Sequence, residues 1–468
     1  MLEQLEYQQK LTLNQWKIAA AATLGDMLDF FDFLLIGFVL AFIVKGWNLT
    51  YGESGLILLS SGIGAPIGSL FWGWMADKIG RRTVFIATIL NVALATGAMA
   101  LTPDRGWIYL VICRFFVGIG TTGLYSVDIT LMQEFLPAKK RGWLTGLTTT
   151  MLPAGFLLGA ILGRFATPYI GWRGLVLCGL VPALLALLIR LWVPETPHWL
   201  LRKGRLAEAR KSLAWVLQID EKDVVLPAAL PAIEQTRWLE LFKYPRSLVA
   251  GCLTGLTQTG GVGLALWLVT LLVMVLKVTP AVASGLVVWV SISAILGRFF
   301  CSWISDAWGR RAGGVFSCLT AALFMALAGI LHNAFLGGVS LFYVMILLQS
   351  FFGSGNYSIV GPYMGELWPA RLRGSGMGLV YGVGNLGKFI GPLGLALIAG
   401  SNNFVKPAAT LDALVPGFLY FASWYVLGAF AFWFIGFETS GRTIDDIDRE
   451  LSGQVRGTAQ PAGHIAGN

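Results

Sequence analysis

Three carboxylates stand at three-residue spacing inside an apolar run: Asp26, Asp29 and Asp32 of GDMLDFFDFLLIGF, residues 25–38. A carboxylate at the centre of a membrane-spanning helix costs about 2.5–3.5 kcal/mol on insertion scales, so three of them demand a use. Spaced by three, they share one helix face. With a helix starting near Lys17, a rise of about 1.5 Å per residue sets Asp29 roughly 18 Å along, near the middle of a hydrocarbon core about 30 Å thick. Acids at that depth either hydrogen-bond neighbouring helices in protonated form or take up and release protons along a pathway. The second use suits Asp29 and Asp32 better than Asp26, which lies nearer the interface.

Other charges fall inside apolar runs and offer partners. Arg114, in the first part of the fourth run, needs a partner if buried, and the first-run aspartates are candidates. Asp128, late in the same run, is either a second protonation site or an internal partner for a loop arginine. Lys388 of GNLGKFIGP, about fourteen residues into the eleventh run, is either a structural ion pair or the counter-charge for an anionic ligand. Arg298 stands eight residues before Asp306 and reads as structural. His198 and His332 have no catalytic partners nearby in sequence, and Cys113, Cys178, Cys252, Cys301 and Cys318 lack metal-ligand spacing. No metal site, cofactor site or enzyme constellation is expected.

The elements that must position these residues follow from composition. The 468 residues are 56% hydrophobic and 13% charged, with 58 glycines and 18 tryptophans. A soluble domain carries about twice that charge fraction. Apolar runs at 17–44, 54–75, 83–102, 107–134, 143–166, 172–193, 247–276, 281–303, 313–331, 337–361, 375–400 and 415–437 predict twelve transmembrane helices. A polar stretch at 194–246 splits them six and six. Within it, RLAEARKSLAWVLQ predicts a short amphipathic helix on the membrane surface. Residues 1–17 are polar and the first apolar run is too long for the core of a cleavable signal.

The net charge of +9 follows from topology and needs no nucleic-acid partner. With the N-terminus inside, 24 of the 34 basic residues fall in inner segments and six at the outer side. Both termini are therefore expected to be cytoplasmic. The chain also repeats itself. GWMADKIGRR (73–82) returns as SWISDAWGRR (302–311), and EFLPAKKRG (134–142) as ELWPARLRG (366–374), at offsets of 229 and 232 residues. The expected fold is an all-α membrane protein of two pseudo-symmetric six-helix halves, 1–193 and 247–437. A cytoplasmic loop at 194–246 joins them and a cytoplasmic tail follows at 438–468.

On these motifs the chain resembles the major facilitator superfamily of secondary transporters. The signature G-x-x-x-D-[RK]-x-G-[RK]-[RK] is matched at Gly73, Asp77, Lys78, Gly80, Arg81 and Arg82. RFFVGIGTTG (114–123) is similar to the family's fourth-helix R-x-x-x-G-x-G pattern. PETPHWLLRKGR (194–205) and FETSGRTIDDID (437–448) resemble the sequences that end the two halves of sugar-porter-like members. The resemblance implies transport by alternating access and links Arg114 to proton coupling. Loop carboxylates beside arginine pairs can join helix ends by charge-assisted hydrogen bonds that open as the halves rock. An inner gate is therefore expected from Asp77, Arg81, Arg82, Glu134 and Arg141 and from their repeats Asp306, Arg310, Arg311, Glu366 and Arg373.

The cargo is read from what the runs carry. The seventh-run stretch TQTGGVGLALW (257–267) keeps Gln258 but lacks the asparagine and tyrosines of the sugar-porter pattern. Neutral donors and acceptors for a sugar are few beyond Gln258, Gln349 and Asn356. The DxxDF of the first run resembles the D-[GA]-[FY]-D stretch of proton-coupled organic-acid carriers, with Phe30 in the place of Gly or Ala. The expectation is a proton-coupled symporter of a small organic acid. Its proton path would run through Asp29, Asp32, Asp26, Arg114 and Asp128, and its substrate site would be built from Lys388, Gln258, Asn356, Tyr357 and Trp267. It would be driven by the proton gradient without a cofactor and would work as a single chain in a lipid bilayer, the inner membrane in a bacterium. A sugar or polyol transporter and a proton-antiport exporter are the alternatives. A receptor or sensor is disfavoured because both halves keep their gating motifs.

Overall fold

The computed structural model describes residues 3–180, 184, 193–226, 238–369 and 372–440; within them the side chains at 28–29, 73, 77, 123–131, 133, 138–139, 141–143, 145–147, 149 and 374, among others, lie outside the described set. The chain is predominantly helical. The main elements are α1 (Leu13–Trp47), α2 (Tyr51–Ile79), α3 (Arg81–Ala100), α4 (Trp107–Phe135), α5 (Ala138–Phe165), α6 (Thr167–Cys178), α7 (Leu206–Leu217), α8 (Pro245–Gly255), α9 (Gln258–Leu276), α10 (Pro280–Trp308), α11 (Arg310–Ile330), α12 (Leu341–Glu366), α13 (Arg373–Asn385), α14 (Gly387–Ile398) and α15 (Pro407–Phe430). Among the described residues, seven helical stretches are long and apolar enough to cross a membrane.

Three expectations change. The seventh and eleventh runs are each broken, between α8 and α9 and between α13 and α14. The tenth run opens with a hairpin, Phe335–Leu336 against Val339–Ser340, because Gly337 and Gly338 take the positive φ values (56° and 82°) that a two-residue turn requires. The amphipathic helix α7 does not offer its apolar face to a membrane. Its Ala209, Leu213 and Val216 are buried in a core with Leu5, Ile18, Phe135 and Trp199. Thr12 Oγ1 and Asn14 Nδ2 tie the start of α1 to the main chain of Val216 and Trp215.

The chain forms two compact units. One is Met1–Ile233 with Leu264–Ile295 and Phe389–Gly417; the other is Glu234–Gly263 with Leu296–Lys388 and Phe418–Asn468. These are packing units, whereas the expected halves are a statement of topology, so stretches of the second half lie in the first unit. In that first unit, glycines set the helix spacing. A Cβ on Gly64, Gly68 or Gly118 would run into the backbone carbonyls of Phe115, Ile119 and Ser61, and one on Gly155 into that of Met27. Helices without a hydrophobic drive between them in lipid depend on such close backbone approach.

The same unit contains a short main-chain tie between distant loops. Tyr51 N–H donates to Asn403 O (2.8 Å), Gly52 N–H to Ser401 O (2.8 Å) and Val405 N–H to Leu49 O (3.1 Å). The Tyr51 hydroxyl bonds Thr410 Oγ1 at 2.6 Å, and its ring packs on Trp267 at 5.6 Å. In the second unit a core of Ile359, Tyr363, Trp368, Val380 and Phe432 holds α8, α11, α12 and α13 together.

Because the approach of α2 to α4 leaves no room for a side chain, Gly118→Leu is expected to cost about 3 kcal/mol or more. Size-exclusion profiles and thermal unfolding of the purified variant check this, and a wild-type profile would contradict the close contact.

Candidate functional site

The first-helix acids depend on a long, well-started α1. Thr12 caps it in a capping box with Gln15, each side chain bonding the other's N–H. Further along, Asp26 is fully buried and Asp32 is 4% exposed. The Asp32 carboxylate lies against Gly179, where an added Cβ would stand 2.7 Å from Oδ1. Arg114 of α4 is also buried, at 1% exposure. Its Nη1 donates to the carbonyl of Asp32 (2.8 Å), and its Nη2 to the carbonyl of Phe33 (2.8 Å) and to Ser61 Oγ (2.9 Å). The described hydrogen bonds of this arginine to α1 thus go to main-chain oxygens beside the Asp32 side chain. The guanidinium carries five donors in a rigid fork, which lets one side chain bond several acceptors at once. The side chains of Asp29 and Asp128 lie outside the described residues.

The repeated loops lie at helix ends. In the first unit Arg81, the first residue of α3, pairs with Glu134 near the end of α4 at 2.6 Å. In the second, Arg310 at the start of α11 reaches Glu366 at the end of α12 (3.3 Å) and Asp306 at the end of α10 (3.3 Å). Arg311 Nε donates to Phe432 O at 3.2 Å, Arg82 is half-buried, and Arg373 is half-buried at the start of α13. Each described pair therefore lies within one unit; the Asp77 and Arg141 side chains are outside the described residues.

Two residues not singled out in the sequence complete both loops. Glu195 accepts from the N–H groups of Arg81 (3.1 Å) and Arg82 (3.2 Å), and Glu438 from those of Arg310 (2.8 Å) and Arg311 (3.0 Å). Each carboxylate thus caps the start of a helix, where orphan N–H groups and the positive dipole end favour an anion. Gly80 and Gly309, at φ 103° and 90°, make the approach possible, since a Cβ on either would strike the capping carboxylate. The signal was present as the repeated Glu–Thr of PETP and FETS, which reveals its partner only in three dimensions.

The expected substrate residues fall in both units. Gln258 is 6% exposed, at the start of α9. Asn356 is fully buried; its Oδ1 accepts from Ser317 Oγ (2.9 Å) and its Nδ2 donates to Thr257 Oγ1 (3.4 Å). Tyr357 is half-buried beneath the Arg298 guanidinium at 5.7 Å, with its hydroxyl directed at Gly261. Lys388 is half-buried at the second position of α14. These four lie in the second unit. Trp267 lies in the first, fully buried, and its indole N–H donates to Pro392 O at 3.2 Å.

A family model described as "Sugar (and other) transporter" matches residues 18–451. The chain belongs to this family, within the major facilitator superfamily. The transporter is 30% identical over 434 residues to the niacin transporter NiaP of Acinetobacter baylyi, covering 91% of this chain and 94% of the relative. It is 28% identical over 387 residues to the cis,cis-muconate transport protein of the same organism, covering 82% and 88%. Its fold matches the partially occluded inward-open xylose transporter XylE of E. coli with a TM-score of 0.72, at 19% identity, over 92% of this chain and all of the other. The family and these relatives are membrane transporters of small molecules, not enzymes.

Removing the charge of either capping carboxylate, by Glu195→Gln or Glu438→Gln, is expected to cost about 1 kcal/mol of stability. The two losses should add, because the caps lie in different units. Thermal unfolding of both single variants and the double checks this; unchanged melting would contradict a capping role.

Proposed function

We propose that the transporter is a proton-coupled symporter that imports a small organic acid by alternating access. The observation that carries this reading is the burial of Asp26 and Asp32 on the helix whose carbonyls hold Arg114. Acids inside a membrane helix usually mark a proton or ion pathway. An anionic substrate entering with a proton moves less net charge through hydrocarbon and gains the drive of the proton gradient. Niacin and cis,cis-muconate, named for two relatives, are both carboxylic acids. Lys388 serves as counter-charge to the substrate carboxylate, and Gln258 and Tyr357 line the same site. Twelve spans, an inner-membrane location with both termini cytoplasmic, and action as a monomer without a cofactor complete the proposal.

Sugar transport is the second reading, favoured by the family's name and by the fold shared with the xylose transporter. A screen of purified protein for thermal stabilisation by nicotinate, cis,cis-muconate, glucose and xylose separates the two. Stabilisation by the sugars alone would reject the first.

In proteoliposomes, Asp29→Asn and Asp32→Asn are expected to abolish proton-driven accumulation of the acid while leaving expression intact. Full pH-dependent uptake in both variants would contradict the coupling role. Lys388→Ala should raise the half-saturating concentration of the acid about tenfold or more, the usual loss for a charged hydrogen bond. An unchanged value would remove Lys388 from the site.

A further inference from the structure

The carboxyl group of Asp32 borders a space that two other helices leave for it. Gly179, just past the end of α6, has φ −63° and ψ −21°, a right-handed helical conformation that any residue adopts. The backbone there does not call for glycine. The space beside it does: a Cβ at 179 would stand 2.7 Å from Asp32 Oδ1, inside van der Waals contact, and 3.3 Å from Thr96 Cγ2 of α3. A methyl group at 179 and the Asp32 carboxyl in its present position exclude each other. Gly179, Asp32 and Thr96 all belong to the first unit.

Thr96 is 2% exposed, and its hydroxyl has no hydrogen-bond partner among the described residues. A buried hydroxyl left in that condition costs about 1–3 kcal/mol. It is the methyl of Thr96 that borders the space shared with the Asp32 carboxyl. Side chains move between staggered wells, and a third of a turn about Cα–Cβ puts the hydroxyl where the methyl now stands. The other groups around this carboxyl are few. From α4 come Arg114, which bonds the Asp32 carbonyl, and its neighbour Cys113; Asp26 and Asp29 stand on α1 itself. Residues 55–72 of α2, 83–100 of α3 and 150–163 of α5 carry no titratable side chain, and α6 carries Tyr169, Arg173 and the half-buried Cys178. Arg173 is turned to Thr102 O and Asp104.

We propose that Thr96 and Gly179 are positioning residues for proton coupling. Gly179 leaves the space in which the Asp32 carboxyl sits. The Thr96 hydroxyl, turned towards that space, donates to the carboxylate once its proton has left. When the proton returns, the neutral carboxyl no longer needs this donor and the hydroxyl turns back. Both residues act through Asp32 and neither touches the substrate. The inference rests on the proton-coupled reading and deepens it, because it names what steadies the acid in its charged state.

The test compares two assays on the same proteoliposomes, with whichever of nicotinate, cis,cis-muconate and xylose the wild type carries. Accumulation driven by an inward proton gradient requires the acid to release its proton in every cycle, whereas counterflow at equal pH on both sides does not. Thr96→Val, which keeps the shape and removes the hydroxyl, should lower accumulation about tenfold or more while counterflow stays near the wild-type rate. Thr96→Ser should restore accumulation. Gly179→Ala, which fills the space of the carboxyl, should show the same split. Wild-type accumulation in either folded variant, or an equal fall in accumulation and counterflow, overturns the inference and leaves the proton-coupled reading standing. A wild-type protein whose uptake ignores the proton gradient overturns both. Size-exclusion profiles establish that each variant is folded, and Thr96→Val decides alone if Gly179→Ala is not.

Discussion

Arg114 is a permanent charge 1% exposed on a helix of a membrane protein, and three oxygens are among the described groups that answer it: two main-chain carbonyls of α1 and the hydroxyl of Ser61. A guanidinium in hydrocarbon costs several kcal/mol unless partners meet it inside the bundle. That requirement fixes α4 against α1 and α2, and the glycines at 64, 68 and 118 make the approach close enough to meet it. The carbonyls of Asp32 and Phe33 are fixed by the same contacts, so the buried acids of α1 share their helix with a fixed positive charge.

The ends of the helices obey the same rule in the opposite sense. Helix starts leave donors without partners, and the chain answers them twice with the same device, a glycine at positive φ followed by two arginines whose N–H groups bond a distant glutamate. The arginine side chains are thereby freed to pair with Glu134 and Glu366. Repetition of the whole arrangement in the two units shows that the duplicated sequence encodes one local solution to one electrostatic problem.

Much of this was legible in order and composition. The apolar runs, the repeated loops and the burial of Asp32 and Arg114 follow from hydropathy, offset and the cost of charge in lipid. The rest was not, for identifiable reasons. The carbonyls of Asp32 and Phe33 that accept from Arg114 could not be picked out, because every residue carries a carbonyl and sequence shows only side chains. Glu195 and Glu438 stand 114 and 128 residues from the N–H groups they cap, a distance no local pattern spans. The α7 helix has a surface-seeking pattern, yet Leu5 and the start of α1 cover its apolar face. The partners of Trp267, the Tyr51 ring and the Pro392 carbonyl, stand 216 and 125 residues away in the chain and leave no local pattern. The breaks at 256–257 and 386 were hidden because both lie in glycine-rich apolar sequence that reads as continuous helix.

The central claim is that binding an organic acid is linked to protonation of buried carboxylates on α1. The most direct measurement is proton exchange on ligand addition, followed with a pH indicator in a weakly buffered solution of the purified protein near neutral pH. The account predicts that nicotinate or cis,cis-muconate binds with uptake of protons from solution, and that this uptake vanishes when the first-helix aspartates are replaced by asparagine. Acid binding without any proton uptake in the unmodified protein would contradict it.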